Sequence, residues 1–284
     1  MAIFSNQATL TYNGTTTSSN IAYGEILDIL TASKTSVEAS YTLGTLVTYV
    51  VTLRNTGTAT LSGLTVSDDL GGYDVGGTTV YPLTYEEGSV TLFLDGVLQP
   101  PPTVTAGPPL SVSGINVSGG SDAVLIYQAR VNTFASPATD GIIVNTATVT
   151  GTGLSAPVTA TATTPAASSP LLTISKSISP TQVVDNDRVT YTFVIQNFGN
   201  EPVVATDNAA VSDTFDPILS ALTVTLDGAV WTEGTEYSYD EQTGLFTTTP
   251  GQIVVPAATY TQDPVTGAYT VSPGTVTLSV TGTI

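Results

Sequence analysis

The chain has 284 residues, with 23 acidic and 5 basic side chains, a net charge of −18, and neither Cys nor His. Without thiols and imidazoles, it cannot contain Ser-His or Cys-His nucleophile pairs, zinc sites of the usual ligand types or disulfides. The charge argues against nucleic acid as a partner, because phosphate binding needs clustered Lys and Arg. We expect no cofactor, and no apolar run approaches the roughly 20 residues of a membrane span.

The composition predicts β-structure in two domains. Hydrophobic residues make up 41% of the chain and charged residues 10%, which favours packed β-strands over helices or disorder. At about 150 residues per domain, this length predicts two domains. We expect an all-β protein of two tandem immunoglobulin-like antiparallel β-sandwiches with an N-terminal donor β-hairpin.

Residues 1–29 resemble the end of the first domain. The stretch 5–11 shares an Asn, an Ala and two Thr with 144–150, and Gly14 matches Gly153. We therefore interpret 1–29 as a closing hairpin that is detached from its domain. Period-two alternation predicts one face that carries Phe4, Asn6, Ala8, Leu10 and Tyr12.

Residues 30–165 are the first predicted domain, and residues 166–284 repeat it. Alternating apolar residues between Gly, Pro and Asn turns, as at 47–53, predict the strands of a sandwich. A Pro- and Ala-rich stretch at 164–170 is the predicted linker. The repeated pairs are Lys34 and Lys176, 47–49 and 189–191, 55–57 and 197–199, 66–68 and 211–213, and the Asp-Gly turns 95–96 and 227–228.

The two copies end differently. The first copy continues beyond its strand at 124–131 with two more strands, whereas the matching strand of the second copy, 276–284, is its last. The second domain is therefore expected to lack its closing strands and to expose unpaired strand edges. Filling such a gap with a strand from another molecule is donor-strand complementation. With a hairpin at one end and a gap at the other, we expect a head-to-tail homopolymer whose partner is the protein itself.

These motifs give the sequence a family resemblance. Both Lys strands, the Val-Thr-Tyr, Asn-x-Gly and Val-Ser-Asp stretches, and Asn-Thr-Ala-Thr-Val at 145–149 resemble the bacterial surface repeat family called domain of unknown function 11. The resemblance covers nearly the whole chain and implies β-sandwich repeats of cell-surface or fibre proteins. It implies an extracellular appendage on a bacterial cell or spore. The chain shows neither an ordinary leader nor a wall anchor, so the export route stays open.

The first domain is expected to bury a reactive trio. Lys34, Asp68 and Asn145 fall on apolar strand faces. Burial lowers the pKa of a Lys and raises that of a carboxyl, so a neutral amine would face an Asn carboxamide polarised by a protonated acid. Amide exchange then releases ammonia and leaves an isopeptide bond, as in the Gram-positive pilin domains that this one resembles. We predict an intramolecular Lys34–Asn145 bond promoted by Asp68.

The same chemistry is expected at the subunit junction. Lys176 and Asp213 fall on apolar faces of the second domain, where Asn6 of another molecule would complete the trio. We predict an intermolecular Lys176–Asn6 bond promoted by Asp213. The alternative for both trios is a hydrogen-bonded Lys-Asp pair, with Asn satisfying a remaining donor and no covalent bond. Because such crosslinking is a single turnover at most, we do not expect an enzyme.

A second class of function stays open on the sequence. The sandwiches would then serve as a cell-surface adhesin or glycan-binding module that presents its loops. Trp231, Tyr237 and Tyr239 are candidates for a sugar-binding surface, although a lone Trp in a β-protein is more often in the core. The acidic turns lack a calcium-binding spacing, so we predict no metal site. Paired carboxylates for glycoside hydrolysis are not indicated by the spacing.

Overall fold

A computed structural model describes residues 2–26 and 28–284, and its regular secondary structure is almost wholly antiparallel β-strand. Met1 and Leu27, which belong to the predicted hairpin segment, lie outside the described residues. The chain divides into two compact units. Unit 1 holds the described residues through Ser136, Ile142–Pro165 and Pro264–Gly267, and unit 2 holds Pro137–Gly141, Ala166–Asp263 and Ala268–Ile284.

The described residues form seventeen strands in unit 1 and ten in unit 2. Those of unit 1 are β1 (Ala2–Asn6), β2 (Thr9–Tyr12), β3 (Thr15–Ser18), β4 (Ala22–Ile26), β5 (Leu30–Ser36), β6 (Leu46–Asn55), β7 (Leu61–Asp68), β8 (Tyr73–Val75), β9 (Thr78–Val80), β10 (Leu83–Tyr85), β11 (Thr91–Leu94), β12 (Val97–Leu98), β13 (Thr103–Thr105), β14 (Leu110–Val117), β15 (Asp122–Val131), β16 (Ile142–Thr150) and β17 (Val158–Pro165). Those of unit 2 are β18 (Leu172–Ser179), β19 (Arg188–Asn197), β20 (Ser212–Thr214), β21 (Ser220–Leu226), β22 (Ala229–Trp231), β23 (Tyr237–Asp240), β24 (Leu245–Thr248), β25 (Thr259–Gln262), β26 (Tyr269–Ser272) and β27 (Gly274–Thr283), with a 3₁₀ turn at Ala205–Asp207.

Unit 1 contains a sandwich of two sheets. One sheet has the order β12-β11-β15-β6-β5, with β10 also on β15, and the other has the order β13-β14-β7-β16-β17. Alternate residues of the central strands are buried, among them Val47, Tyr49, Val51 and Leu53, as the period-two pattern predicts. The hairpin β16–β17 closes the sandwich, because β16 pairs with β7 and β17 packs against β5.

A buried Asn holds the same turn in both units. Asn55 donates to two backbone carbonyls across the turn after β6, and its side-chain oxygen accepts a hydrogen bond from the Gly57 amide. Asn197 repeats this arrangement after β19 and accepts from the Gly199 amide. Both Asn side chains are fully buried, where polar atoms need partners. The repeated Asn-x-Gly stretches are therefore explained by one local structure.

The repeated Asp-Gly pairs form matching hairpin turns, as predicted. Asp95 and Asp227 both have a φ of 47°, and the following Gly96 and Gly228 have φ values of 78° and 82°. Two successive residues with positive φ define the type I′ turn, which suits the right-handed twist of hairpin strands. These turns connect β11 to β12 in unit 1 and β21 to β22 in unit 2.

Unit 2 repeats the central strands, but its described residues contain no counterpart of the closing hairpin. Its main sheet has the order β18-β19-β27-β21-β22, and a second sheet has the order β20-β24-β23. Strand β27 takes the place of β15, and β20 takes the place of β7. In unit 1, β16 pairs with β7 and β17 packs against β5, whereas within the described part of the chain β20 pairs only with β24 and β18 makes extensive contact only with β19. The positions that β16 and β17 occupy in unit 1 are therefore open in unit 2.

The connection between the repeats begins later than the composition predicts. Thr164 and Pro165 belong to β17, where Thr164 is fully buried and Pro165 pairs with Ile142. Residues 166–171 then lead to β18. Thr164 is retained in the strand because its side chain fills the core of unit 1.

The N-terminal segment forms the predicted hairpin and exposes its apolar residues. Strand β1 pairs with β4 and β2 pairs with β3, and among the described strands these four pair only with one another. Phe4, Leu10 and Tyr12 expose 56%, 66% and 74% of their surface. Since a lone two-stranded hairpin is marginally stable at best in water, this apolar face needs a partner.

Candidate functional site

Unit 1 brings the predicted Lys, Asp and Asn together in its core. Lys34 on β5 and Asp68 on β7 come from the two facing sheets, and Lys34 Nζ lies 2.5 Å from Asp68 Oδ2. Their side chains are 0% and 2% exposed. Asn145 on β16 is also fully buried, beside the strand that carries Asp68. Charges at such a depth persist only when they are paired and hydrogen-bonded.

Two tyrosines that the sequence analysis did not single out complete this cluster. Tyr127 on β15 donates its hydroxyl to Asp68 Oδ2 at 2.6 Å and accepts a hydrogen bond from Asn145 Nδ2 at 3.0 Å. Tyr49 on β6 stacks on Tyr127 with ring centroids 5.4 Å apart. Lys34 Nζ lies 4.8 Å from the centroid of the Tyr49 ring. The one signal in the sequence was the inward position of Tyr49 in the period-two pattern of β6.

Burial favours the uncharged forms of the Lys34 amine and of the two tyrosine hydroxyls. It lowers the pKa of the Lys34 ammonium, an effect that the nearby Asp68 carboxylate opposes. It also raises the pKa of Tyr49 to about 12 and the pKa of Tyr127 well above its ordinary value. The arrangement therefore suits a neutral amine beside a carboxamide.

The carboxamide of Asn145 is held on one side only. Its Nδ2 bonds to Tyr127, whereas its Oδ1 is buried and has no hydrogen-bond partner among the described residues. A buried polar atom without a partner costs about 1–3 kcal/mol and requires an explanation. Tyr127 also separates Asp68 from Asn145 in the chain of hydrogen bonds, so Asp68 reaches the carboxamide only through the Tyr127 hydroxyl.

Unit 2 brings Lys176 and Asp213 together but leaves them open to solvent. The Lys176 ammonium forms an ion pair with the Asp213 carboxylate and lies 4.6 Å from the centroid of the Tyr191 ring. The two side chains are 40% and 20% exposed. The burial predicted for Lys176 is therefore not found in the single chain, because no described strand packs against β18 as β17 packs against β5. Asn6, the third member predicted for this trio, is exposed on β1.

The two Lys strands are repeats in sequence but differ in burial. On β5, Leu30 and Lys34 expose 3% and 5% of their surface. On β18, the counterpart of Leu30 is Leu172, which is 43% exposed, and the next residues on that face, Ile174 and Ile178, are 55% and 39% exposed. Because β17 lies against β5 in unit 1, the exposure of β18 is what the absence of a closing hairpin produces.

The N-terminal hairpin pairs its strands as the closing hairpin does. Asn6 on β1 lies opposite Ala22 on β4, as Asn145 on β16 lies opposite Ala162 on β17. The Asn of each hairpin therefore shares a face with a small residue on the partner strand. All five residues of the predicted donor face are exposed in the single chain, namely Phe4, Asn6, Ala8, Leu10 and Tyr12.

The aromatic residues considered for a sugar-binding surface belong to the core of unit 2. Tyr237 is 5% exposed, and Trp231 and Tyr239 pack against the core. The hydroxyl of Tyr239 donates to the Leu219 carbonyl. These contacts support the core position expected for a lone Trp over a sugar-binding surface.

Neither a metal cluster nor a spanning helix is found in the part of the chain that the structure describes. No three or more Asp and Glu side chains of residues 2–26 and 28–284 lie where they would hold a metal ion. No helix within the same residues is long and apolar enough to cross a bilayer.

The fold is similar to solved structures of surface proteins at low sequence identity. A C-terminal fragment of the major pilin of Streptococcus agalactiae is 11% identical with a TM-score of 0.36, covering 87% of this chain and 79% of that one. The pilus backbone protein of Streptococcus pneumoniae is 11% identical with a TM-score of 0.32, covering 86% and 55%. The N-terminal domain of a Streptococcus gordonii adhesin is 18% identical with a TM-score of 0.35, covering 52% of this chain and 34% of that one.

The match therefore spans only about a third of the adhesin structure. No protein-family model matches the sequence, and no curated protein matches it. The resemblance to domain of unknown function 11 stays a prediction. At these identities and TM-scores, the structural similarity carries no argument about function.

Proposed function

We propose that this protein is the structural subunit of a bacterial extracellular fibre that polymerises head-to-tail by donor-strand complementation. The N-terminal hairpin of one molecule fills the open side of unit 2 in the next molecule. Lys-Asn isopeptide bonds reinforce each subunit and each junction. The location on a bacterial cell or spore surface rests on the family resemblance in the sequence.

One observation carries this proposal: β18 is open where its repeat, β5, is covered. Leu172 and Ile174 are exposed on β18, whereas Leu30 is buried on β5. Burial of apolar surface contributes about 25 cal/mol per Å². A strand with a row of exposed apolar side chains therefore favours association with a matching strand. The chain itself contains the matching element, since the hairpin around Asn6 repeats the sequence and pairing of the hairpin around Asn145.

The attachment of the hairpin supports a donor from another molecule. Just after the hairpin, Asp28 accepts a hydrogen bond from Ser155 in the β16–β17 turn, and Ile29 accepts one from Thr56. The hairpin is thus held to unit 1, whereas the open side belongs to unit 2. A donor and an acceptor carried by different units of one chain favour a contact between molecules, which propagates into a filament when its rotation does not close a ring.

The buried trio of unit 1 supports covalent reinforcement. A neutral Lys34 amine that attacks Asn145 Cγ forms a C–N bond, and cleavage of the bond from Cγ to Nδ2 releases ammonia. Burial of Lys34 favours the neutral amine that this attack requires. Insertion of a donor hairpin would cover Lys176 in the same way and place Asn6 where unit 1 has Asn145.

Two neighbouring substitutions in the hairpin test the donor-strand contact. Leu10 matches the fully buried Val149 of unit 1, whereas Thr11 matches the exposed Thr150, and both hairpin residues are exposed in the single chain. We expect Leu10→Asp to abolish filaments in electron micrographs and leave monomers by light scattering, since insertion would bury an unpaired carboxylate at a cost of several kcal/mol. Thr11→Asp, the matched control, should still form filaments.

Two results would overturn the proposed assembly. One is that Leu10→Asp polymerises as well as Thr11→Asp. The other is that the wild-type protein stays a monodisperse monomer at high concentration, which would favour the adhesin or glycan-binding alternative.

A further inference from the structure

A continuous chain of hydrogen bonds joins Lys34 to Asn145 through Tyr127. Its three links measure 2.5 Å from Lys34 Nζ to Asp68 Oδ2, 2.6 Å from Tyr127 Oη to Asp68 Oδ2, and 3.0 Å from Asn145 Nδ2 to Tyr127 Oη. All four side chains are buried. The Tyr127 hydroxyl therefore lies between the acid and the nitrogen atom that an isopeptide bond expels.

Isopeptide formation requires protons to move between these same atoms. The Lys34 ammonium carries three protons and the product amide keeps one, so two must leave Nζ. One proton moves to Asp68 and leaves a neutral amine, whose lone pair forms the bond to Asn145 Cγ. The carbonyl π pair moves onto Oδ1 and returns as the bond from Cγ to Nδ2 breaks. The nitrogen that departs needs one proton to leave as ammonia.

We propose that Tyr127 is a catalytic residue that delivers this proton to Asn145 Nδ2, an inference that rests on the isopeptide bond of the proposed function. Tyr127 donates its hydroxyl proton to Nδ2 and receives the proton that Asp68 took from Nζ. Asp68 then accepts the second proton of Nζ. The balance closes with one isopeptide bond, one neutral ammonia, a protonated Asp68 and an unchanged Tyr127.

The position of Tyr127 makes this relay specific to unit 1. Tyr127 lies opposite Tyr49 in the β15–β6 register, and the matching position in unit 2, opposite Tyr191 on β27, is Val280. Unit 2 therefore has an isopropyl group where unit 1 has the hydroxyl. We expect the internal bond of unit 1 to form faster than the junction bond.

Removal of one hydroxyl tests the relay. The full chain is made by cell-free synthesis, synthesis is stopped, and intact mass is followed over time for the loss of one ammonia. We expect Tyr127→Phe to react about 10²-fold more slowly than wild type, the size of effect that positioned proton transfer supplies. The matched control is Tyr41→Phe, because Tyr41 is also a buried tyrosine of unit 1, but its hydroxyl donates to the Ser136 carbonyl and takes no part in the chain from Lys34 to Asn145. It should react at the wild-type rate.

A pH profile separates proton delivery from a structural role. In the wild-type chain the protons move within a buried network, so the rate should be flat from mildly acidic to mildly alkaline buffer. In Tyr127→Phe the departing nitrogen must take its proton from solvent, so the residual rate should fall as pH rises. Near-ultraviolet circular dichroism of a Lys34→Met chain with and without Tyr127→Phe reports whether loss of the hydroxyl alters folding.

The outcomes distinguish failure of the relay from failure of the bond. If the wild-type chain loses ammonia and Tyr127→Phe does so equally fast, the relay is overturned and the bond stands. A slow Tyr127→Phe with the same flat pH profile as wild type would assign the hydroxyl to structure and also overturn the relay. If the wild-type chain keeps its full mass, both the relay and the covalent part of the proposed function are overturned.

Discussion

At the scale of single residues, the unusual feature of unit 1 is the group of polar side chains buried in its core. Lys34 and Asp68 are fully enclosed as an ion pair, which is seldom worth more for stability than an apolar pair of similar size. Their retention beside Asn145, whose Oδ1 has no partner among the described residues, therefore points to chemistry or register instead of stability. The stacked rings of Tyr49 and Tyr127 pack against this cluster, and the Tyr127 hydroxyl donates to Asp68 within it.

Burial of Tyr49 gives unit 1 an alkaline limit of stability. Its pKa rises from 10.0 to about 12 in the folded state, so the unfolded chain releases the hydroxyl proton first. This contribution is fully present below pH 10.0 and is lost as pH rises to about 12, for a total of about 3 kcal/mol at most. We expect Tyr49→Phe to reduce the fall in the free energy of unfolding over this range, measured by guanidinium titration at each pH.

An exposed tyrosine provides the control for this prediction. Tyr12 is 74% exposed, so Tyr12→Phe controls for the removal of a phenol hydroxyl that folding leaves in water. The pKa of Tyr127 is also raised, so part of the pH dependence of the free energy of unfolding should remain in Tyr49→Phe. An equal slope in Tyr49→Phe and wild type would contradict the assignment to Tyr49.

At the scale of secondary-structure elements, the sequence predicts the strand face on which a residue lies better than it predicts which neighbouring strands pack against that residue. Period-two alternation and the repeats place Lys34, Asp68 and Asn145 on inward faces, because these are local properties of each strand. Alternation within one strand does not predict the role of Tyr127. Its position beside Asp68 depends on the register of β15 against β6, and these strands are far apart in sequence. Alternation places Lys176 on one face with Leu172, Ile174 and Ile178, but the exposure of that face depends on which strand covers β18, and alternation carries no information on that.

The proposed assembly requires the hairpin to fit the open side of unit 2, so the hairpin should act when supplied separately. A synthetic peptide of residues 2–26 carries the whole donor face. Added to assembling protein, it should occupy the open edge of β18 at the growing end and shorten filaments in proportion to its concentration. Filament length is measured by electron microscopy. The same peptide with Leu10→Asp is the control and should have no effect.

The peptide experiment also separates the hairpin from its attachment. If filament length is unchanged at a large excess of wild-type peptide, contacts outside residues 2–26 must drive assembly. That result would contradict the donor role of the hairpin.

At the scale of the whole molecule, charge and junction strength oppose each other. Each chain carries a net charge of −18, so neighbouring subunits of a filament repel one another. At 0.1 M salt, screening limits this repulsion to charges within about 10 Å of each other. The apolar contact at a junction must stabilise it by more than the remaining repulsion destabilises it. The proposed covalent bond at each junction would make the filament independent of that balance, because it would persist when the apolar contact is lost.

Substitution of Lys176 separates the covalent bond from the assembly. Lys176→Arg keeps the positive charge beside Asp213, but an always protonated guanidinium is no nucleophile. We expect filaments that dissociate into monomers in hot detergent, whereas wild-type filaments give a ladder of oligomers on the same gel. Asn145→Ala is the matched control, because it removes the acceptor of the internal bond alone and should keep the ladder. Monomers alone from wild-type filaments would leave the junction noncovalent, and a ladder from Lys176→Arg would place the crosslink at another residue.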